Sequence, residues 1–442
     1  MEKETVLNVG FDDTDSPKGM CTTFLAYKIV DSLQKQNIEF LDFPRLIRFN
    51  PNIPWKTRGN GAVSFKIKTK NPSKIKDQIK KFVSKYSDIK NGANPGLVFF
   101  ESDTIPIQFT KFSKLALWQL INRNNAKTFA KKNNLEIHYQ GNGQGLVGAI
   151  GAIGYDFDDH TLELLSYRKK SQFGKERKIS TQSVKNMQEK TSPNTFNSFD
   201  TKKGRVLITP HGPDPVFYGV RGENVDSLVY ATKILKTTEK LDGYMIFKSN
   251  QGTGDHLKNE LNFENMKPFA SGKISGVVSN IPKIVKGGHV FFKIISKNHE
   301  FWCAVYKPTG MTIVASNLLK GDEISVGGGV RKASKNFPRI INLEFIDIIS
   351  LVKNTTLSNP ECTKCHKKMK SKGANQGFQC IRCGKKALKK ISTEISRNIK
   401  KQLYLPNISA HRHLSRPLQR IGTVNKSSKF DKSISWFCVY GK

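Results

Sequence analysis

VLNVGFDDTDSPKGMCTTFLAYKIVDSLQ, running from Val6 to Gln34, is the stretch around which the chain is organised. Val6, Leu7 and Val9 form a short apolar run suited to a buried strand, Asp12, Asp13 and Asp15 follow at once, and from Met20 apolar residues recur at helical spacing. The pattern predicts strand, acidic loop, helix. Carboxylates gathered where a strand gives way to a helix can hold Mg²⁺ against phosphate, because Mg²⁺ takes oxygen ligands and keeps several waters. A helix starting between Met20 and Thr23 adds unpaired backbone N–H groups that favour an anion. Asp and Ser are also ordinary turn and cap residues, so the same string fits a well-capped loop.

At 442 residues the chain has room for three to four folding units, and a hydrophobic content of 37% is enough for real cores. Its 73 Lys and Arg against 36 Asp and Glu give a formal charge of +37. Such a surplus drives salt-dependent association with a polyanion, nucleic acid first; a Lys-rich solvated surface is the plainer alternative. From Leu351 onward, 21 Lys and Arg face three acidic residues, about half of the surplus in the last fifth of the chain. That concentration favours an RNA-clamping segment, with His411, Arg412, His413, Arg416 and Arg420 as contacts or surface groups. No basic region followed by an apolar core and cleavage site is present, and no run reaches the ~18 apolar residues that span a bilayer, so a cytoplasmic location is expected.

Four of the seven cysteines fall in CTKCHKKMKSKGANQGFQCIRC, as Cys362, Cys365, Cys380 and Cys383. Two short chelating turns of this kind bring four thiolates around Zn²⁺, with an iron-sulfur centre as the lesser alternative. A complete thiolate shell leaves no position for water, so the metal is structural. Cys21, Cys303 and Cys438 are scattered and argue against a disulfide framework.

Between these landmarks Pro72–Tyr86 reads as a Lys-rich amphipathic helix, and a further helix is expected around Ala116–Thr128. RGNG at Arg58–Gly61 fits either a hairpin entry or a phosphate contact through Arg58. HYQGNGQGLVGAIGAIGYDF lacks both the Rossmann placement and the GK[ST] ending of a P-loop; its glycines suit tight packing or close approach to a ligand. The polar stretch from Ser171 to Met187 reads as an exposed connection or RNA-facing loop. His211 and Asp214 sit in the rigid turn PHGPDP, where they can serve binding, proton transfer or the turn itself. Short strands from 271 to 350 suggest an oligonucleotide-binding barrel in which Phe291, Phe292, Phe301, Trp302 and Tyr306 divide between core and stacking platform, about three in five going to the core.

FDDTDSPKGMCTT, Phe11–Thr23, resembles the start of the archaeal isoleucine-tRNA 2-agmatinylcytidine synthetases. The resemblance continues through RGNG, the ANPG turn, PHGPDPVFYGVRG and SNQGTGDH to the barrel-like segment and the four-cysteine ribbon. It implies a multidomain α/β fold: a kinase-like catalytic domain without a Walker A loop over 1–130, a ferredoxin-like and catalytic region over 131–265 with a boundary open to interleaving, an oligonucleotide-binding (OB-fold) β-barrel over 270–350, a zinc ribbon over 358–390 and a basic RNA-contacting segment over 391–442. Asp12, Asp13, Asp15, Thr22, His211 and Asp214 become catalytic candidates, Thr22 matching the threonine that is autophosphorylated in the family. Arg58, Gly59, Asn60, Asn94, Gly96, Arg221 and Asp255 become binding candidates. The implied reaction uses ATP, Mg²⁺ and agmatine as co-substrate to modify C2 of the wobble cytidine in an isoleucine tRNA with a CAU anticodon, yielding AMP, with no membrane and no obligate protein partner. A non-enzymatic RNA-binding or ribosome-associated protein also explains the basic surface, but not the aspartates at the first helix entry; an RNA-modifying ATPase using another amine is the third reading.

Overall fold

The computed structural model describes residues 4–335, 338–426, 430 and 435–441. Two compact units emerge: Met1–Lys273 with Gly327–Glu344 and Pro406–Lys442, and Ile274–Val326 with Phe345–Leu405.

An 11-stranded sheet runs through the first unit, in the order Glu136–Tyr139, Gly96–Glu101, Thr5–Asp12, Gly61–Thr69, Arg45–Arg48, Leu241–Ser249, Thr161–Arg168, Val216–Gly222 and Thr195–Phe196, with two short strands off this path. The strand Thr5–Asp12 shows why both sheet faces are covered. Leu7, Val9 and Phe11 are fully buried and share a core with Leu25, Ile29, Val30 and Leu33 of the helix Thr22–Gln34. At roughly 1.5–3 kcal/mol for each large side chain removed from water, these contacts dominate the local energetics. Alternate positions face the helix Leu146–Gly154: a Cβ on Gly10 would strike the Ala149 carbonyl, and one on Gly148 would strike the Asp12 carboxylate. The glycine-dense stretch therefore serves close helix–sheet packing, which brings that helix onto the acidic loop.

The two halves of this sheet join through one parallel pairing, Lys248 to Arg45 and Ser249 to Leu46, with the Ser249 hydroxyl donating to the Leu46 carbonyl at 2.6 Å. Tyr167 ties them again, donating from its hydroxyl to the Thr23 carbonyl at 2.9 Å. The helix Pro72–Tyr86 forms as expected, capped by the Asn71 side chain. The helix expected around Ala116–Thr128 is instead two, Ile107–Trp118 and Arg123–Lys132, because Asn122 leaves the helical path and caps the second by accepting from the Asn125 N–H.

The stretch read as an exposed loop contains a helix, Thr181–Thr191, with Val184 and Met187 buried. Just before it, Arg177 donates to the carbonyls of Pro210, Gly212, Asp214 and Val216 at 2.6–3.0 Å, pinning the His211–Asp214 turn. The basic C-terminal segment is also redistributed: from Pro406 it returns to the first unit, Trp436 enters the core, and Phe437–Val439 pairs with Gly243–Met245. Arg420, expected at the surface, is 1% exposed and paired with Asp159 and Glu223.

In a second sheet the strand order Ser271–Val278, Glu323–Arg331, Ile340–Ser350, His299–Val305, His289–Ser296 returns to Ser271–Val278, closing a small β-barrel. Phe291, Phe292 and Phe301 are buried, Phe292 and Phe301 on one face of their strands and Phe291 on the other, while Trp302, beneath the Lys293 ammonium at 4.8 Å, and Tyr306 remain partly exposed. A separate three-stranded sheet carries the four-cysteine element, and the hairpin pair Thr355–Ser358 and Ile391–Glu394 brackets it. Among the described residues no helix is long and apolar enough to cross a membrane.

Candidate active site

A cavity of about 450 Å³ opens in the first unit at the end of the strand Thr5–Asp12 and the start of the helix Thr22–Gln34. Its lining brings together Asp12, Asp13, Asp15, Thr22, Arg58, Gly59, Asn60, His211, Asp214 and Arg221, ten of the candidates named from sequence. Cys21 occupies the helix cap with its Sγ 3.1 Å from the Thr23 hydroxyl and accepts from no first-turn N–H, so those groups remain without a side-chain capping partner. Thr22 is buried, its hydroxyl oxygen accepting from Thr14 at 3.0 Å.

Arg58 organises the acidic loop. From a left-handed backbone position its guanidinium reaches Asp15 at 2.5 Å, the Met20 carbonyl at 2.8 Å and the Ser16 carbonyl at 3.1 Å, and lies 3.8 Å from Asp214. Asn60 holds the same hairpin by donating to the Asn50 carbonyl at 2.8 Å. His211 sits at the exposed rim, 2.6 Å from Arg205.

The carboxylates repel one another in a buried setting. Burial above all, then the charge of Asp13, holds Asp12 well above the ordinary carboxylate range. Burial and the Asp15 charge push Asp13 up to about 7 against the backbone N–H of Asn94. Asp15 and Asp214 are also raised by burial, opposed by Arg58 in both cases. Ionised Asp13 thus weighs against the fold above pH 7, and this penalty disappears as pH falls from 7 toward 3.8. Asp13→Asn, which suits the residue's left-handed backbone, is expected to stabilise the cation-free protein by about 2 kcal/mol at pH 8, with the gain shrinking at pH 6. Thermal melts of both proteins in chelator at the two pH values measure it; a variant melting below wild type at pH 8 would refute this account.

A second part of the lining contains residues that sequence reading missed. Glu163, buried in the strand Thr161–Arg168, lies 3.4 Å from both Arg48 and Arg221 and accepts from the Gln251 side-chain amide. His413 reaches the same cluster, with Nδ1 2.8 Å from Gln251 Oε1 and 3.0 Å from Arg221. Burial, then Arg48 and Arg221, drive the His413 pKa well below its ordinary value, so its ring is neutral. A lone acid among leucines in TLELLSYR was the available signal for Glu163; nothing local distinguished His413 from the other cations of its segment.

Three candidates do not line the cavity. Asn94 supports it from behind, its backbone N–H reaching Asp13 and its side-chain oxygen accepting from the Asn142 N–H at 3.0 Å. Gly96 lets the start of the helix Leu146–Gly154 approach, since a Cβ there would strike the Leu146 nitrogen. Asp255 is buried, accepting from the Tyr155 hydroxyl and pairing with Lys258 at 2.6 Å.

The sulfurs of Cys362, Cys365, Cys380 and Cys383 lie within 4.8 Å of one another, the only such assembly of three or more potential metal-ligand atoms among the described residues. The aspartates of the cavity thus form no preassembled cage.

The chain matches the family models for the TiaS TCKD domain over residues 8–142, the TiaS FLD domain over 143–256 and the TiaS C-terminal zinc ribbon domain over 359–399. It is 46% identical over 436 residues to the isoleucine-tRNA 2-agmatinylcytidine synthetase TiaS of Cenarchaeum symbiosum (strain A), covering 99% of this chain and 97% of that relative. Among solved structures, the complex of TiaS with its isoleucine tRNA and ATP superposes with a TM-score of 0.85 at 34% identity, covering 96% of this chain and 99% of the other. The complex of TiaS with that tRNA, AMPCPP and agmatine gives 0.83 at 32% identity, with coverage of 96% and 99%.

Proposed function

The chain belongs to the isoleucine-tRNA 2-agmatinylcytidine synthetase family, and from that premise we propose that it catalyses the ATP- and agmatine-dependent conversion of the tRNA wobble cytidine to 2-agmatinylcytidine. The observation that carries the reading is the cavity in which the acidic loop, Thr22 and the Arg58 and Arg221 guanidiniums converge. In this reading ATP gives up two phosphoryl groups and leaves AMP, one passing to the cytidine C2 oxygen and the other to Thr22; the agmatine amine then forms the C2–N bond and releases a proton to solvent as the C2–O bond breaks and the phosphorylated oxygen departs as phosphate.

Asp12, Asp13 and Asp15 suit a hard divalent cation, because they are oxygen donors whose mutual repulsion a cation would relieve. Bound Mg²⁺ supplies charge neutralisation at the phosphates, and one or two carboxylates with water and phosphate oxygens satisfy its shell. Arg58 holds the loop in place and offers its charge beside it. Asp214, near Arg58 and with one buried carboxylate oxygen lacking a hydrogen-bond partner, is placed to orient a cationic amine. The four cysteines suit structural Zn²⁺, since tetrahedral Zn–S bonds of ~2.3 Å place sulfurs about 3.8 Å apart. The N-terminal region is assigned kinase-like chemistry, the middle region a ferredoxin-like fold that shares the catalytic site, and the barrel and ribbon the binding of RNA.

Incubating the protein with an isoleucine tRNA bearing the CAU anticodon, ATP and agmatine, then digesting the RNA for mass analysis, tests the reading; an unmodified wobble cytidine would sink it. Thr22 is expected to take phosphate from ATP, its first-turn position suiting an anion. Labelled ATP with residue mapping checks this: Thr22→Ala should lose the label and Thr22→Ser should keep it, whereas reproducible labelling elsewhere but never at Thr22 rejects the assignment.

A further inference from the structure

The C-terminal return is fastened to the loop that carries Gln251. The Gly252 and Gly254 N–H groups donate to the carbonyls of His413 and Leu414 at 2.9 and 2.8 Å. Arg420 donates to the Gly252 carbonyl at 2.8 Å while pairing with Asp159 at 2.8 Å and Glu223 at 2.5 Å; Arg416 also pairs with Asp159. Leu414 is buried with Ile47, Phe49, Ala62 and Tyr155. This anchoring fixes the backbone that presents His413, and its ring occupies space that a Cβ on Gly59 would invade.

We propose that His413 is a positioning residue of this active site, its Nδ1–H fixing Gln251 and through it Glu163, which lies between Arg48 and Arg221 in the wall that receives ATP phosphate. The cationic groups of the wall are Arg48, Arg221 and Lys56, with Glu163 between the two arginines. Because the Gln251 amide nitrogen donates to Glu163, its Oε1 is the acceptor turned to His413, and a neutral Nδ1–H satisfies it. The neutral ring spaces two guanidiniums without adding a third charge. No hydrogen bond to His413 Nε2 is formed among the described residues, so the fixing contact is at Nδ1.

The inference rests on the ATP-dependent reading, and side-chain geometry separates the two. Asn can return a donor near the Nδ1 position, whereas Gln reaches toward Nε2. His413→Ala is expected to raise the KM for ATP and weaken ATP binding by calorimetry about tenfold, the effect of one buried hydrogen bond at a charged cluster. Its kcat should stay within about threefold and its KM for agmatine should move less, the pattern of lost ground-state binding. His413→Asn should restore ATP affinity and His413→Gln should not. Rescue by Gln but not Asn, a larger effect on agmatine than on ATP, or an Ala variant within about twofold of wild type would overturn the proposal. If the Ala variant fails to fold, the Asn and Gln pair decides by the same criterion. Loss of ATP affinity with Asn rescue in a protein that does not modify tRNA would overturn the functional reading and leave the positioning role standing.

Discussion

Replacing Asp12, Asp13 and Asp15 together by Asn is expected to lower Mg²⁺-dependent ATP turnover on the order of 10³-fold while leaving tRNA affinity within about threefold. The three carboxylates line the same cavity as Thr22. Their raised pKa values follow from burial and proximity to one another, the condition that a phosphate-bound cation relieves. Asn preserves side-chain size and removes the charge. It also weakens the 2.5 Å Asp15–Arg58 contact, so part of the loss comes through displacement of Arg58 from the Met20 and Ser16 carbonyls. Parallel measurement of turnover and of tRNA binding separates chemistry from RNA capture. Turnover at the wild-type rate with all three replaced would remove the aspartates from the mechanism.

Two deletions in the basic C-terminal fifth should behave in contrary ways. Removing Pro406–Lys442 withdraws Trp436 from the core, a strand from the Gly243–Met245 edge and Arg420 from Asp159 and Glu223. Leaving the buried Asp159 carboxylate without its partner costs ~3–5 kcal/mol before lost packing is counted. Loss of the cooperative thermal transition of the first unit is expected, and ATP turnover with it. Excising 355–394 is a different operation, because the Ile395 N–H donates to the Asn354 carbonyl at 2.7 Å and a short Gly linker can join the ends. That variant should keep Thr22 phosphorylation but bind tRNA about tenfold or more weakly at moderate salt, with a shallower salt dependence, since fewer phosphates are neutralised. Titrations across salt, beside melting curves, provide the check. Full tRNA affinity with an unchanged salt slope in the excision variant would refute the clamp, and a normally folded protein lacking Pro406–Lys442 would refute the structural role of the return.

Local patterns were sufficient where local forces decide. The apolar run before Asp12 and the helical spacing after Met20 set a strand and a helix, because each periodicity matches one backbone geometry. Asn71 followed by Pro72 set a helix start through a cap and a fixed φ. The paired Cys-x-x-Cys turns set the thiolate cluster, since chelate spacing is short-range. Phe11–Thr23 with the ordered glycine motifs set the family.

Tertiary structure decided where charge and glycine were ambiguous. Arg177 and Arg420 belong to stretches whose composition reads as solvated or RNA-facing, yet one clamps the His211–Asp214 turn and the other is buried against Asp159. Composition counts cations but does not identify their partners, which lie 37 residues away for Arg177 and Asp214 and 261 for Arg420 and Asp159. Likewise the glycines around Gly148 permit either ligand approach or packing, and the folded position of Asp12 shows Gly148 packed against that carboxylate while it also lines the cavity. The wall built from Arg48, Glu163, Arg221, Gln251 and His413 has no local period or spacing; strand pairing and the C-terminal return bring it together. The sequence by itself determined the elements, the acidic loop, the thiolate set and the family, because these depend on neighbours along the chain. Which charges are buried, and which residues meet at the cavity, was decided by the tertiary structure, because those energies depend on distance and solvent exclusion in the folded chain.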